Sequence, residues 1–153
     1  MWLLVLGALL LLLDQGSKAW IQRTFLPGES LPVVPGYFHL THVRNEGAAF
    51  GLLQGQTTLF VAITLAVLAA GFLMRRRIAE EQLPVRLGFT LGLSGAAGNL
   101  IDRLLRGSVV DFLDFRVFPV FNFADVGIVA GAALLAWGIL TERGPKGALG
   151  DET

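Results

Sequence analysis

Apolar residues in this chain gather into four long runs instead of alternating with polar ones. The first extends from Trp2 to about Ile21 and is broken by Asp14 and Lys18. The others run from about Thr57 to Met74, from about Leu83 to Leu105, and from about Phe123 to Leu140. Each approaches the roughly 20 residues that carry an α-helix across a bilayer core. Four transmembrane helices are predicted. The first run also has the character of a leader's apolar stretch, but no basic segment precedes it and no small-x-small cleavage site follows. An uncleaved helix is expected there. Between the first two runs, Pro27, Gly28, Pro32, Pro35 and Gly36 punctuate the chain. Tyr37 to Val43 then reads as a short strand, rich in aromatic and β-branched residues. Phe112, Phe115, Phe118 and Phe121 recur every three residues, which predicts a short amphipathic helix lying at the membrane interface. Residues 1–143 are expected to form one membrane-embedded domain, and 144–153 a polar, disordered cytoplasmic tail.

Composition supports the membrane reading. Of 153 residues, 54% are hydrophobic and only 16% charged, far from a soluble average. Lys plus Arg and Asp plus Glu number 12 each, so net charge offers nothing to a nucleic acid. The absence of cysteine excludes disulfides, thiol nucleophiles and thiolate metal sites. The two imidazoles, His39 and His42, are expected as ordinary strand residues and are too few for a His-rich metal centre. No metal and no cofactor is predicted.

Charge also orients the chain. Arg75, Arg76, Arg77 and Arg86 crowd one short connection, which the positive-inside rule assigns to the cytoplasm. Four spans then place both termini there, with Arg143 and Lys146 in agreement. The loops near 22–56 and 106–122 lie outside. On this topology Asp14, Lys18, Asn99, Asp102, Arg103, Asn122 and Asp125 all fall near the outer surface, with Asn45 and Asp111 in adjoining loops. Ionisable groups within spans are costly and are commonly functional. Asn99, Asp102 and Arg103 share a helix face at i, i+3 and i+4, as do Asn122 and Asp125 at i and i+3. Asp125 also sits in a first helical turn, where the helix dipole favours a carboxylate. Asp14 and Lys18 at i, i+4 read equally as an ion pair locking helices together, and Asp102 and Arg103 as structural. Gly92, Gly95 and Gly98, with Ala96 and Ala97, suit close helix contact.

Five segments together resemble the signal peptidase II, or prolipoprotein signal peptidase, family. They are Asp14-Gln15-Gly16-Ser17-Lys18, Asn45-Glu46-Gly47-Ala48-Ala49-Phe50, Gly98-Asn99-Leu100-Ile101-Asp102-Arg103, Val109-Val110-Asp111-Phe112 and Phe121-Asn122-Phe123-Ala124-Asp125. They occur in the family's order. The resemblance implies a mainly α, integral membrane fold: four transmembrane helices, a small extracytoplasmic β-cradle and a short interfacial helix. It implies an aspartic endopeptidase of the bacterial cytoplasmic membrane that removes signal peptides from prolipoproteins, cutting before a diacylglyceryl-modified cysteine. Carried over by motif, Asp111 and Asp125 are the catalytic pair. Asn45, Asn99, Arg103 and Asn122 match substrate-pocket positions, and Asp14 and Lys18 match a motif supporting the fold. Asp102 is grouped with that support. A monomer among membrane lipids is expected. Ser94 stands where the family often has a glycine. Asp114 is a further carboxylate which, in a helical turn, would share the face of Asp111; it is expected to be partly solvated.

Two carboxylates suffice for peptide hydrolysis. One takes a proton from water and the other, protonated, polarises the scissile carbonyl. Asn99 or Asn122 offers a hydrogen bond to the tetrahedral intermediate. Gly92-Leu93-Ser94-Gly95 also fits a rhomboid-like serine protease, but no histidine lies in a span to serve as base. A His-Glu-x-x-His metalloprotease signature is missing. The non-enzymatic alternative is a small transporter or assembly factor whose polar cluster binds an ion.

Overall fold

The computed structural model describes residues 1–47 and 55–141. Ala48 to Phe50 of the second motif and the tail from 144 onward lie outside those residues. The order is α1 (Trp2–Thr24), β1 (Ser30–Val34), β2 (Phe38–Asn45), α2 (Thr57–Glu80), α3 (Leu83–Arg106), β3 (Val109–Asp114) and α4 (Phe123–Thr141). Each expected apolar run is a helix. α2 continues past its apolar stretch through Arg75–Arg77 to Glu80, because arginine, alanine and glutamate favour helix whatever their solvent.

α3 is the hub, with α1, α2 and α4 packed around it. Small residues bring α3 and α4 together. A Cβ on Gly88 would stand 2.7 Å from the carbonyl oxygen of Gly131, and one on Gly131 as close to that of Gly88. Without side chains between them the two backbones meet directly. Around this hub the surface is apolar, with Leu4, Leu12, Leu73, Val129 and Leu140 all exposed. Among the described residues α1, α2 and α4 are long and apolar enough to cross a membrane. α3 equals α2 in length at 24 residues. Its Arg86, Asn99, Asp102, Arg103 and Arg106 make it more polar, so composition alone does not place it among the spans.

The three strands form one antiparallel sheet in the order β1-β2-β3. β2 pairs with β3 through Val43 opposite Asp111 and Asn45 opposite Val109, with an irregularity between Leu40 and Val43. Ile21 and Phe25 at the end of α1 pack with Val110 and Phe112 of β3 in a buried cluster. The cluster docks the sheet on one end of the bundle. α3 ends at Gly107, whose φ of 75° is the left-handed conformation that stops a helix and turns the chain at once into β3.

The expected interfacial helix over Phe112 to Phe121 is not found. Phe112 lies inside β3, and Phe121 forms an antiparallel bridge with Leu113. Pairing with β2 on one side and with Phe121 on the other satisfies the backbone of the first half, and Pro119, lacking an N–H, opposes helix in the second. The threefold phenylalanine spacing instead yields a cluster of ring contacts, Phe115 with Phe121 and Phe118 with Phe121 among them. The small sheet agrees with the β-cradle that the resemblance implies, although the residue pattern by itself marked only the strand that became β2. Five of the six residues of β3 are buried, so its pattern lacks the alternation that marks a half-exposed strand.

Candidate active site

The site forms where the sheet, the end of α3 and the start of α4 meet. β3 delivers Asp111, which is 2% exposed. The chain then folds back. Phe112 and Leu113 donate their N–H groups to the Phe121 carbonyl at 2.9 and 2.8 Å, and Phe121 N–H returns one to Leu113 at 3.1 Å. This return sets Asn122, the N-cap of α4, beside Asp111, and its Nδ2 donates to Asp111 Oδ1 at 2.6 Å. Asn122 Oδ1 accepts the Asp125 N–H at 2.9 Å, while Asp125 Oδ2 accepts the Asn122 N–H at 3.3 Å. That reciprocal pair is a capping box, which fixes the Asp125 side chain at the helix start. Asn122 therefore holds both aspartates, one by its amide and one by its backbone.

Two further asparagines complete the hold. Asn45 Nδ2 donates to Asp111 Oδ2 at 2.9 Å, and Asn99 Nδ2 donates to Asp125 Oδ1 at 2.8 Å. Asp111, Asp125, Asn45, Asn99 and Arg103 line one cavity of about 340 Å³, walled by apolar side chains such as Val109, Phe121 and Ile128. Arg103 donates to the Gly47 carbonyl at 3.3 Å and stacks 4.8 Å above the Phe60 ring. Burial pushes the Asp111 carboxyl up to about 7 from an ordinary 3.8, and the nearby Asp125 charge adds to the rise. Bonds from Asn45 and Asn122 and the Lys18 charge oppose it. An acid that keeps its proton near neutrality can donate to a carbonyl.

Behind the asparagines lies a buried ion cluster. Lys18 Nζ lies 2.9 Å from Asp14 Oδ2, 3.0 Å from Asp102 Oδ2 and 3.0 Å from Asn99 Oδ1. Asp14 Oδ1 accepts the Ala124 N–H at 2.9 Å, so α1 caps α4. Asp102 accepts from Val110 N–H at 3.2 Å and from Arg106 at 2.6 Å. The ion pair expected between Asp14 and Lys18 is present, and it shares its lysine with Asp102. Gln15 and Arg106 also bond to this cluster, and Phe60 stacks on Arg103; the i, i+4 spacing of Asp102 and Arg106 is the signal that marks Arg106.

Asp114 corrects one expectation. It is buried, at 4% exposure, not partly solvated. It also lies away from the cavity. In a strand, residues three apart point to opposite faces, whereas the helical turn considered from sequence would have aligned them. Its carboxylate accepts from Thr41 Oγ1 at 2.8 Å, from the Arg116 N–H at 2.9 Å and from the Arg116 guanidinium at 3.0 Å. Burial alone would raise its pKa, but these bonds outweigh burial and hold the carboxyl below its ordinary value. Both histidines are strand residues, as expected. His42 is buried with Nδ1 2.9 Å from the Phe25 carbonyl oxygen.

Among the described residues no group of His, Cys, Asp and Glu is arranged to hold a metal ion. The family model described as Signal peptidase (SPase) II matches residues 6–141. The lipoprotein signal peptidase of Moorella thermoacetica is 49% identical over 144 residues, covering 94% of this chain and 96% of the relative. That of Pelotomaculum thermopropionicum is 48% identical, covering 93% of each. Two solved structures, each of a bacterial membrane enzyme, superpose with TM-scores of 0.88 and 0.83 at 33% and 34% identity. The first covers 98% of this chain and 94% of its own, the second 92% and 94%.

Proposed function

The chain belongs to the signal peptidase II family, and on that premise we propose that Asp111 and Asp125 are the dyad with which it removes signal peptides from prolipoproteins. The observation carrying this reading is that the fully buried Asn122 bonds to both Asp111 and Asp125, and these two aspartates line one cavity. Asp111, buried and raised toward neutrality, is the acid that polarises the scissile carbonyl. Asp125, at the positive end of α4 and more open to the cavity, is the carboxylate that takes a proton from water. As the tetrahedral intermediate collapses, the proton gained by one carboxyl passes to the leaving amine.

The asparagines suit a positioning role more than an oxyanion role. The Asn99 amide hydrogens reach Asp125, and those of Asn122 reach Asp111 and Asn99. Arg103 in the cavity wall is the better source of positive charge for a developing oxyanion. An apolar cleft of about 440 Å³ between α2, α3 and α4 shares Ile128 with the site cavity. It offers a path for the apolar helix of a signal peptide and for the acyl chains of a diacylglyceryl-cysteine. We also take α3 as a fourth span, because its 24 residues lie between three apolar helices, and take the dyad end of the bundle as extracytoplasmic.

The test is cleavage by purified protein in lipid or detergent, with product masses read for a lipidated and an unlipidated prolipoprotein. Cleavage before the lipidated cysteine alone is expected. Equal cleavage of both substrates would contradict the lipid requirement, and cleavage of neither would contradict the activity.

A further inference from the structure

α1 and α2 both pack on α3 but barely touch each other. Between them runs a groove of about 650 Å³, floored by Phe89 and Leu93 of α3 and walled by Ala8, Leu11 and Ile78. The dyad lies elsewhere. Gly7 stands against Thr90 and Ser94, and Gly71 against Leu93. Arg75 is one turn beyond Gly71, and Arg86 one turn before Thr90. Both arginines therefore line the same end of the groove, the end away from Asp111 and Asp125. From Arg86 to Ala97 along α3 the groove extends about 16 Å, the scale of an acyl chain.

The charges at that end have no carboxylate partner among the described residues. Among the described residues neither Arg75 nor Arg86 has a carboxylate within ion-pair distance; the paired cations are Lys18, Arg106 and Arg116. Glu80 and Glu81 are close in sequence yet pair with neither. Arg75 donates to the Phe72 carbonyl at 2.9 Å and lies over the Phe72 ring at 4.2 Å, leaving the rest of its guanidinium fork available. Guanidinium groups match phosphate oxygens in charge and geometry, and a basic cluster at a membrane surface attracts anionic lipid. A groove that is apolar along its length and basic at one end is complementary to one molecule with both properties.

We propose that this groove binds an anionic phospholipid, one acyl chain lying between α1 and α2 and the headgroup phosphate on Arg75 and Arg86. The bound lipid fills the gap between two helices that barely touch, and so holds them in place.

Native mass spectrometry of the detergent-purified protein with equimolar phosphatidylglycerol and phosphatidylcholine of identical acyl chains tests this. The protein should retain phosphatidylglycerol with a preference of about thirtyfold, as two basic contacts would give. Arg75→Gln with Arg86→Gln should reduce that preference to near unity while prolipoprotein cleavage in detergent persists. Ala8→Trp, which fills the groove from the α1 wall, should lose both lipids with the arginines intact. Equal retention of the two lipids by the parent protein overturns the proposal, as does an undiminished preference in the double variant. Displacement by glycerol phosphate at the same concentration overturns it too, since the acyl chain would then contribute nothing.

Discussion

Lys18 Nζ lies 3.0 Å from Asn99 Oδ1, and this contact decides which way the Asn99 amide faces. An ammonium can only donate, so it selects the amide oxygen. The amide nitrogen is thereby turned to Asp125, where it donates at 2.8 Å. The lysine is wholly buried with Asp14 and Asp102. Removing one partner of a buried ionic group strands the others, at roughly 3–5 kcal/mol. Lys18→Met should show that loss as a lower unfolding midpoint in detergent, together with lost turnover. A variant as stable as the parent would contradict the role of this cluster.

Asn keeps the shape of Asp but cannot exchange the proton. Asp111→Asn and Asp125→Asn should each abolish turnover while the protein remains folded. Acting as a unit, they should give a double variant no worse than either single one. Asp114→Asn, facing Thr41 and Arg116, should keep most activity, and turnover should survive EDTA. Product mass spectrometry on the four proteins separates these outcomes. A folded, active Asp111→Asn protein would remove that residue from the dyad.

The raised Asp111 value sets a pH dependence. Between 3.8 and about 7 the folded protein holds a proton on Asp111 that the unfolded chain has released. Its contribution to stability is complete below 3.8 and is lost as pH rises through about 7. If Asp111 is the acid, kcat/KM should fall over the same rise, the limb belonging to the coupled pair. Asn45→Ala removes a bond that favours the ionised form, so it should move that limb to higher pH. A pH–rate profile unchanged by Asn45→Ala would contradict this.

Glycine placement on α3 gives an internally controlled comparison. A Cβ at Gly95 would run into the backbone carbonyl oxygen of Ala124, whereas one at Gly92 meets nothing within 4 Å. Gly95→Ala should cost about 1–3 kcal/mol by forcing α3 and α4 apart. Gly92→Ala should be neutral or should gain up to about 1 kcal/mol of helix propensity. Thermal unfolding in detergent would show it, and equal effects at the two positions would refute the close-contact account.

The arginine cluster predicts a topology. A reporter fused after Arg77 should read cytoplasmic and one fused near Gly55 external. The reverse pattern would place the dyad on the cytoplasmic side.

The four apolar runs determined the four helices, because a long stretch with few polar side chains satisfies its backbone groups most simply within itself. Polar residues at depth within or beside those runs marked Asp14, Lys18, Asn99, Asp102, Arg103, Asn122 and Asp125 for the same reason: their desolvation must be compensated by one another. Sequence did not determine β3 or the fold-back through Phe121, since pairing with β2 and with Leu113 is a property of distant chain segments. Those pairings decided that Asp111 and Asp114 face opposite ways and that Asn122 reaches both Asp111 and Asp125. They also turned a phenylalanine spacing that suggested a helix into a strand and a packed turn. Which carboxylates line the same cavity was decided by strand register and helix capping across elements. Spacing along a single element carries no information about either.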